Sequence, residues 1–70
     1  MNEIPLNSSA LLSCLYDSQS QFLWIRFRRG EHYLYREIPT AVVQALLEAR
    51  SQGQYFNSMI RPKFPFERLS

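Results

Sequence analysis

One tryptophan and four arginines fall within a single short stretch of this 70-residue chain: Trp24, Arg26, Arg28, Arg29 and Arg36. Guanidinium groups neutralise phosphates, and rings stack on unpaired bases for roughly 1–3 kcal/mol per base. Phe22, Trp24, Arg26 and Arg28 occupy alternate positions, so in a strand they share one face. Rings interleaved with positive charge suit single-stranded nucleic acid. The same face also suits a protein partner or a second copy of the chain sealed against Phe22 and Trp24, and a merely solvated sheet is a third reading. On the nucleic-acid reading, replacing Arg26 and Arg28 by Ala removes binding and leaves stability almost unchanged.

Catalytic chemistry has less to work with. Serines, one His (His32) and one Asp (Asp17) are present, but no spacing marks a triad. Cys14 falls in a stretch with strand character, on its core side, whereas His32 falls on the opposite face, a poor arrangement for a nucleophile and its base. A lone buried Cys is ordinarily a small core residue. Gly30 and Gly53 are the only glycines, too few for a phosphate-binding glycine loop. With a single Cys and a single His, a Cys/His zinc site cannot be assembled from one chain. The expectation is a binding module with no enzymatic activity and no cofactor.

Size and composition narrow the class further. Seventy residues make one domain. At this length folding buries only about 60% of the chain surface, so each large apolar residue matters. The single Cys excludes an internal disulfide and points to a reducing compartment. No basic and apolar leader opens the chain, and nowhere do ~18 apolar residues run together, so the expectation is a cytoplasmic protein without a membrane segment. Net charge is +2, and seven of the eight basic residues sit in two groups, residues 26–36 and 61–68, with Arg50 alone between them.

The elements that position these groups can be read from propensity. Residues 1–7 form a lead-in, with Pro5 discouraging regular structure. An apolar run from Ser9 to Tyr16 precedes the turn Asp17-Ser18-Gln19-Ser20, whose side chains can bond nearby backbone. Gln21 to Arg28 is aromatic and β-branched, a strand, and Glu31 to Ile38 a further strand. Gly30 supplies the positive φ that commonly closes a three-residue hairpin loop. That closure sets Phe27 against Glu31, Ile25 against Tyr33 and Leu23 against Tyr35. Leu23, Ile25, Phe27, Tyr33 and Tyr35 then share the core face, with Trp24, Arg26, Arg28, Leu34, His32 and Arg36 opposite. In the first strand both Leu12-Cys14-Tyr16 and Leu11-Leu15 offer apolar stripes, and Leu12 with Cys14 is the assignment favoured.

Pro39 fits a first helical turn, and Ala41, Val42, Ala45, Leu46 and Ala49 recur at helical spacing through Arg50. Gly53 is expected as its left-handed cap. Gln54 to Ile60 offers a short second helix with Tyr55, Phe56, Met59 and Ile60 as its apolar side, and Pro62 and Pro65 end it. The tail from Arg61 to Leu69, with Phe64 and Phe66, could fold over Trp24. The expected fold is α+β: a three-stranded antiparallel meander packed against one main helix and a short C-terminal one.

The order of residues resembles a known family. Ser8-Ser9, Tyr16-Asp17, Leu23-x-Ile25-x-Phe27, Gly30, Tyr33-x-Tyr35, Ile38-Pro39, Ala49-x-Ser51-x-Gly53-x-Tyr55-Phe56-Asn57, Ile60-Arg61 and Phe64-Pro65 together are similar to the KTSC domain. That family is named for the C-terminus of some lysyl-tRNA synthetases and also occurs as free-standing bacterial and phage proteins. The resemblance runs from about Ser8 to Leu69, which sets one domain over residues 8–69. Leu15 departs from it, being bulky where a small residue precedes the Tyr-Asp pair. The resemblance implies no assigned activity, and RNA binding by association with the synthetases. Tyr33, Tyr35, Gly53, Tyr55, Phe56 and Asn57 carry its motif and are read as structural. The expected partner is therefore RNA or another single-stranded nucleic acid, with a homodimer or protein partner as the alternative.

Overall fold

The computed structural model describes residues 2–70. The described residues form a five-stranded antiparallel sheet, β1 (Ile4–Pro5), β2 (Leu11–Asp17), β3 (Phe22–Phe27), β4 (His32–Tyr35) and β5 (Phe66–Arg68), in the spatial order of the chain. Helix α1 (Thr40–Glu48), helix α2 (Gln52–Tyr55) and a π-helical turn (Phe56–Ile60) connect β4 to β5 and cover one sheet face.

The central hairpin has the register that Gly30 implies. Ile25 pairs with Tyr33 and Leu23 with Tyr35, and the Phe27 amide donates to the Glu31 carbonyl at 2.9 Å. Gly30 holds φ +104° in open space, with no atom within 4 Å of where a Cβ would stand. Sterics therefore leave only the conformational cost, about 1–3 kcal/mol for a side chain held there. Gly30→Ala should lower the unfolding free energy by that amount, read as a lower urea midpoint with the slope of the transition unaltered. An unchanged midpoint would mean that the turn is not held in this conformation.

Two short edge strands raise the expected three strands to five. β1 lies within the lead-in, where Pro5 is tolerated because an edge strand can turn a missing N–H outward. β5 is the tail: instead of folding over Trp24 it returns to β4, pairing Tyr33 with Arg68, Leu34 with Glu67 and Tyr35 with Phe66. Backbone bonds lead it in and out, from the Arg36 amide to the Pro65 carbonyl and from the Leu69 amide to the His32 carbonyl.

The favoured face of β2 is corrected. Leu11 pairs with Phe27 and Ser13 with Arg26, so Leu12 is the extra residue of a bulge. Leu11 and Cys14 are buried while Leu12 is 38% exposed. Strict alternation would have placed Leu12 beside Cys14; the bulge resets the phase and seats Leu11 there instead.

Helix α1 ends at Glu48, two residues short of the expected bound, and Ala49 leaves it in an extended conformation. Gly53 is not its cap. It sits inside α2, which Ser51 caps by accepting from the Gln54 amide at 3.2 Å. Glycine at 53 allows a close approach: a Cβ would stand 3.1 Å from Ser8 Oγ, an atom already held by the Ala10 and Leu11 amides. The buried residues of α1 are Val43 and Leu46, with Ala41 outside. Pro39 stands at the N-cap, immediately before the first helical turn. Of the second helix's apolar side, Phe56 and Ile60 are buried and Met59 is exposed. The π-helical bond from the Arg61 amide to the Phe56 carbonyl, 2.9 Å, swings the segment so that Phe56 meets both Tyr35 and Phe27.

Candidate nucleic-acid interface

Strand alternation separates the basic stretch into several places. On the sheet face away from the helices, one row runs Leu15, Trp24, Leu34, Glu67 and the next runs Ser13, Arg26, His32. Trp24 is half-buried there, edge-to-face with Phe22 at 5.7 Å between ring centres. Arg26 stands beside it but is already paired: its Nε donates to Glu3 Oε2 at 3.0 Å. Ser13 Oγ donates to the same oxygen at 2.5 Å. Arg28 turns away, its Nε donating to the Ser8 carbonyl at 2.7 Å. Arg36 lies just past the other end of β4, and Arg29 lies at the hairpin tip on the helix side. Of the five residues singled out, Trp24 and Arg26 share this outer face, Arg28 serves the fold, and Arg29 joins a different surface.

The outer face carries more carboxylates than guanidiniums. Glu3, Asp17 and Glu67 occupy it along with Arg26, and a recess of about 250 Å³ runs between Trp24, Leu15, His32 and Leu69. The Ser13 hydroxyl and the Arg26 guanidinium hold the Glu3 carboxyl below its ordinary range, the hydrogen bond from Ser13 being the larger cause. A depressed folded value means that the contribution is present above the unfolded value and fades as pH falls through the folded one. Because Glu3 immediately precedes β1, acidification should release that strand first, seen as lost hydrogen-exchange protection of the Leu6 amide, which donates to the Leu12 carbonyl at 3.0 Å. Glu3→Gln should show the same loss at neutral pH. Protection unchanged in both would mean that the pair does not hold β1.

Rings and unpaired cations meet on the other side. Between the hairpin tip, the Ser9–Leu11 segment and the π-helical turn opens a recess of about 320 Å³. Phe27, Tyr33, Tyr35 and Phe56 wall it, and Arg29, Arg61, Glu31 and Asn57 stand around it. Each wall ring is fixed by its element. Tyr35 and Tyr33 stack along β4 with 6.3 Å between centres, and Phe56 meets Tyr35 edge-on at 5.3 Å. Asn57 Oδ1 accepts from Arg61 Nη1 at 3.3 Å, one turn apart, which directs that guanidinium. Beyond Tyr33 the surface continues onto β5, where Phe66 is 51% exposed and stacks on Tyr35 at 5.4 Å. Arg68, opposite Tyr33, lies on the same face.

Sequence reasoning placed Tyr33, Tyr35, Gly53, Phe56 and Asn57 as scattered structural positions. All five line this recess; Tyr55 does not. Arg61 and Phe66 were missed as a pair with Arg29. The available signal was the alternation of Phe66 and Arg68 in phase with Tyr33 and Tyr35, legible only once the tail is known to be a strand.

Nothing in either place supplies a reactive nucleophile. Cys14 is buried on the helix side of the sheet, opposite Ile25, and burial pushes its thiol up to about 11. His32 lies across the sheet from it, in register with Arg26.

Comparison with known proteins bears on the same residues. Residues 7–64 match the family model of the KTSC domain. A protein of Stutzerimonas stutzeri is 44% identical over 63 residues, covering 90% of this chain and 89% of its own length. The lysine–tRNA ligase of Nostoc punctiforme is 44% identical over 55 residues, which are 79% of this chain and 10% of the ligase. The crystal structure of a KTSC domain protein from Yersinia pestis superposes with a TM-score of 0.92 at 32% identity, covering 99% of this chain and 97% of that one.

Proposed function

This chain belongs to the KTSC domain family, and from that premise we propose that it is a non-catalytic module that binds single-stranded RNA on the helix-side rim of its sheet. One observation carries the reading: Arg29 and Arg61 flank a ring-walled recess that continues onto exposed Phe66 and Arg68. Cations there can hold phosphates while rings take unpaired bases, and both are needed for strand binding without pairing. The related segment in a lysine–tRNA ligase supports an RNA setting. This reading moves the contact surface from Trp24 and Arg26 to the opposite side, because Glu3 occupies Arg26 and Asp17 and Glu67 share that face, which disfavours a polyanion. The likeness to the ligase segment also supports a cytoplasmic setting.

The test is titration of labelled single-stranded and duplex RNA at low salt, repeated at rising salt. Binding to single strands should weaken with a slope of about −0.7 per phosphate contacted. Equal affinity for duplex, or no binding of either, contradicts the reading.

The outer face favours a second reading, a protein partner or a second copy of the chain. Its supporting observation is the apolar recess at Trp24, Leu15 and Leu69 beside an internally neutralised arginine. Solution mass and Trp24 emission separate the two. A dimer with blue-shifted, poorly quenched emission supports this reading, and a monomer with readily quenched emission removes it.

A further inference from the structure

The helix-side recess holds an unused donor. Tyr35 is 1% exposed and lines the recess, yet its hydroxyl has no hydrogen-bond partner among the described residues. No polar side-chain atom described is both sealed from solvent and unpartnered, so this hydroxyl reaches the recess itself. Buried polar groups ordinarily carry a partner. Burial also raises the phenol above its ordinary range, with Arg61 acting in the opposite sense. It is a neutral O–H donor at physiological pH.

We propose that this recess is a nucleotide site, taking one nucleoside monophosphate unit of a strand or in free form. The proposal rests on the RNA reading above and specifies the site within it. Arg29 and Arg61 both line the recess, and a guanidinium fork matches phosphate oxygens in bidentate fashion. The Tyr35 hydroxyl donates to the same phosphate or to the sugar. Tyr33, half-buried on the rim, offers ring surface for the base. Glu31, an acceptor only when ionised, disfavours a bare anion and suits ribose hydroxyls or an exocyclic amine. A volume of about 320 Å³ falls at the lower end of the roughly 300–1,000 Å³ of small-ligand sites. That is room for one unit, not several.

The experiment is an NMR titration of the intact chain with 5′-AMP, 5′-CMP, the matching nucleosides and inorganic phosphate. Monophosphates should shift Tyr33, Phe56 and Arg61 saturably, at least tenfold more tightly than nucleosides or phosphate alone. Arg61→Ala should weaken them at least tenfold. Tyr35→Phe, which keeps the buried ring, should weaken them several-fold while the melting temperature holds. Equal affinity for nucleoside and monophosphate, equal affinity for phosphate alone, or shifts confined to the Trp24 face would overturn the proposal. RNA binding without nucleotide shifts in the recess sinks the site and leaves the RNA reading standing. Nucleotide binding without RNA binding does the reverse.

Discussion

Phe56→Ala abolishes cooperative folding. Phe56 is 1% exposed and closes the gap between the π-helical turn and the sheet, edge-on to Tyr35 at 5.3 Å and to Phe27 at 5.7 Å. Truncating a buried Phe to Ala costs about 3–5 kcal/mol, and the lost ring pairs carry about 0.5–1.5 kcal/mol each beyond area burial. A core of this size yields only about 3–5 kcal/mol net in the absence of a staple. The loss matches the whole stability, so no margin remains. Circular dichroism should show no sigmoidal melt for Phe56→Ala, whereas Phe56→Leu, which keeps most of the apolar volume, should still melt cooperatively. A Phe56→Ala melt within a few degrees of the parent would mean that the helical connection is not what completes the core.

Arg29→Ala, Arg61→Ala together remove RNA binding without harming the fold. Both residues are exposed, and the one hydrogen bond involved, from Arg61 to Asn57, is a surface contact one helical turn apart. Such contacts carry about 0.2–0.5 kcal/mol, so the double variant should melt close to the parent. Hydrogen bonds to charged groups are worth about 1.5–3 kcal/mol each. Losing two, about 3–6 kcal/mol together, should therefore cost about 100- to 10,000-fold in affinity at low salt, at about 1.4 kcal/mol per tenfold. The salt slope should also fall by about 1.4, two phosphates at about 0.7 each. Arg26→Ala should change little, since that guanidinium already answers Glu3. If Arg26→Ala removes binding and the double variant keeps it, the contact surface is the outer face.

The contrast between these variants follows from what the chain's pattern could and could not announce. Alternation from Phe22 to Phe27 and a glycine at the tip determine the central hairpin, because a slip of one residue would expose Leu23 and Ile25. The bulge at Leu12 has no such signature: Leu11 and Leu12 are the same residue type, and pairing geometry alone chooses between them. The edge strands were hidden for a related reason. Ile4–Pro5 and Phe66–Arg68 are too short for periodicity and become strands only because β2 and β4 offer unpaired edges. The helix-side recess was illegible for that cause too. Its rings come from β3, β4, the π-helical turn and β5, and only the returning tail aligns Phe66 and Arg68 with the tyrosines. Trp24 was placed on its proper face by alternation, but the neutralisation of its neighbour Arg26 depends on Glu3, a residue of the presumed lead-in.

The most direct measurement is a backbone and aromatic chemical-shift map of the chain with a short single-stranded RNA. The account predicts saturable changes at Arg29, Tyr33, Phe56 to Arg61 and Phe66 to Arg68, with Trp24 Nε1–H unmoved. Changes centred on Trp24, Leu15 and Leu69, with the tyrosine signals still, would contradict it.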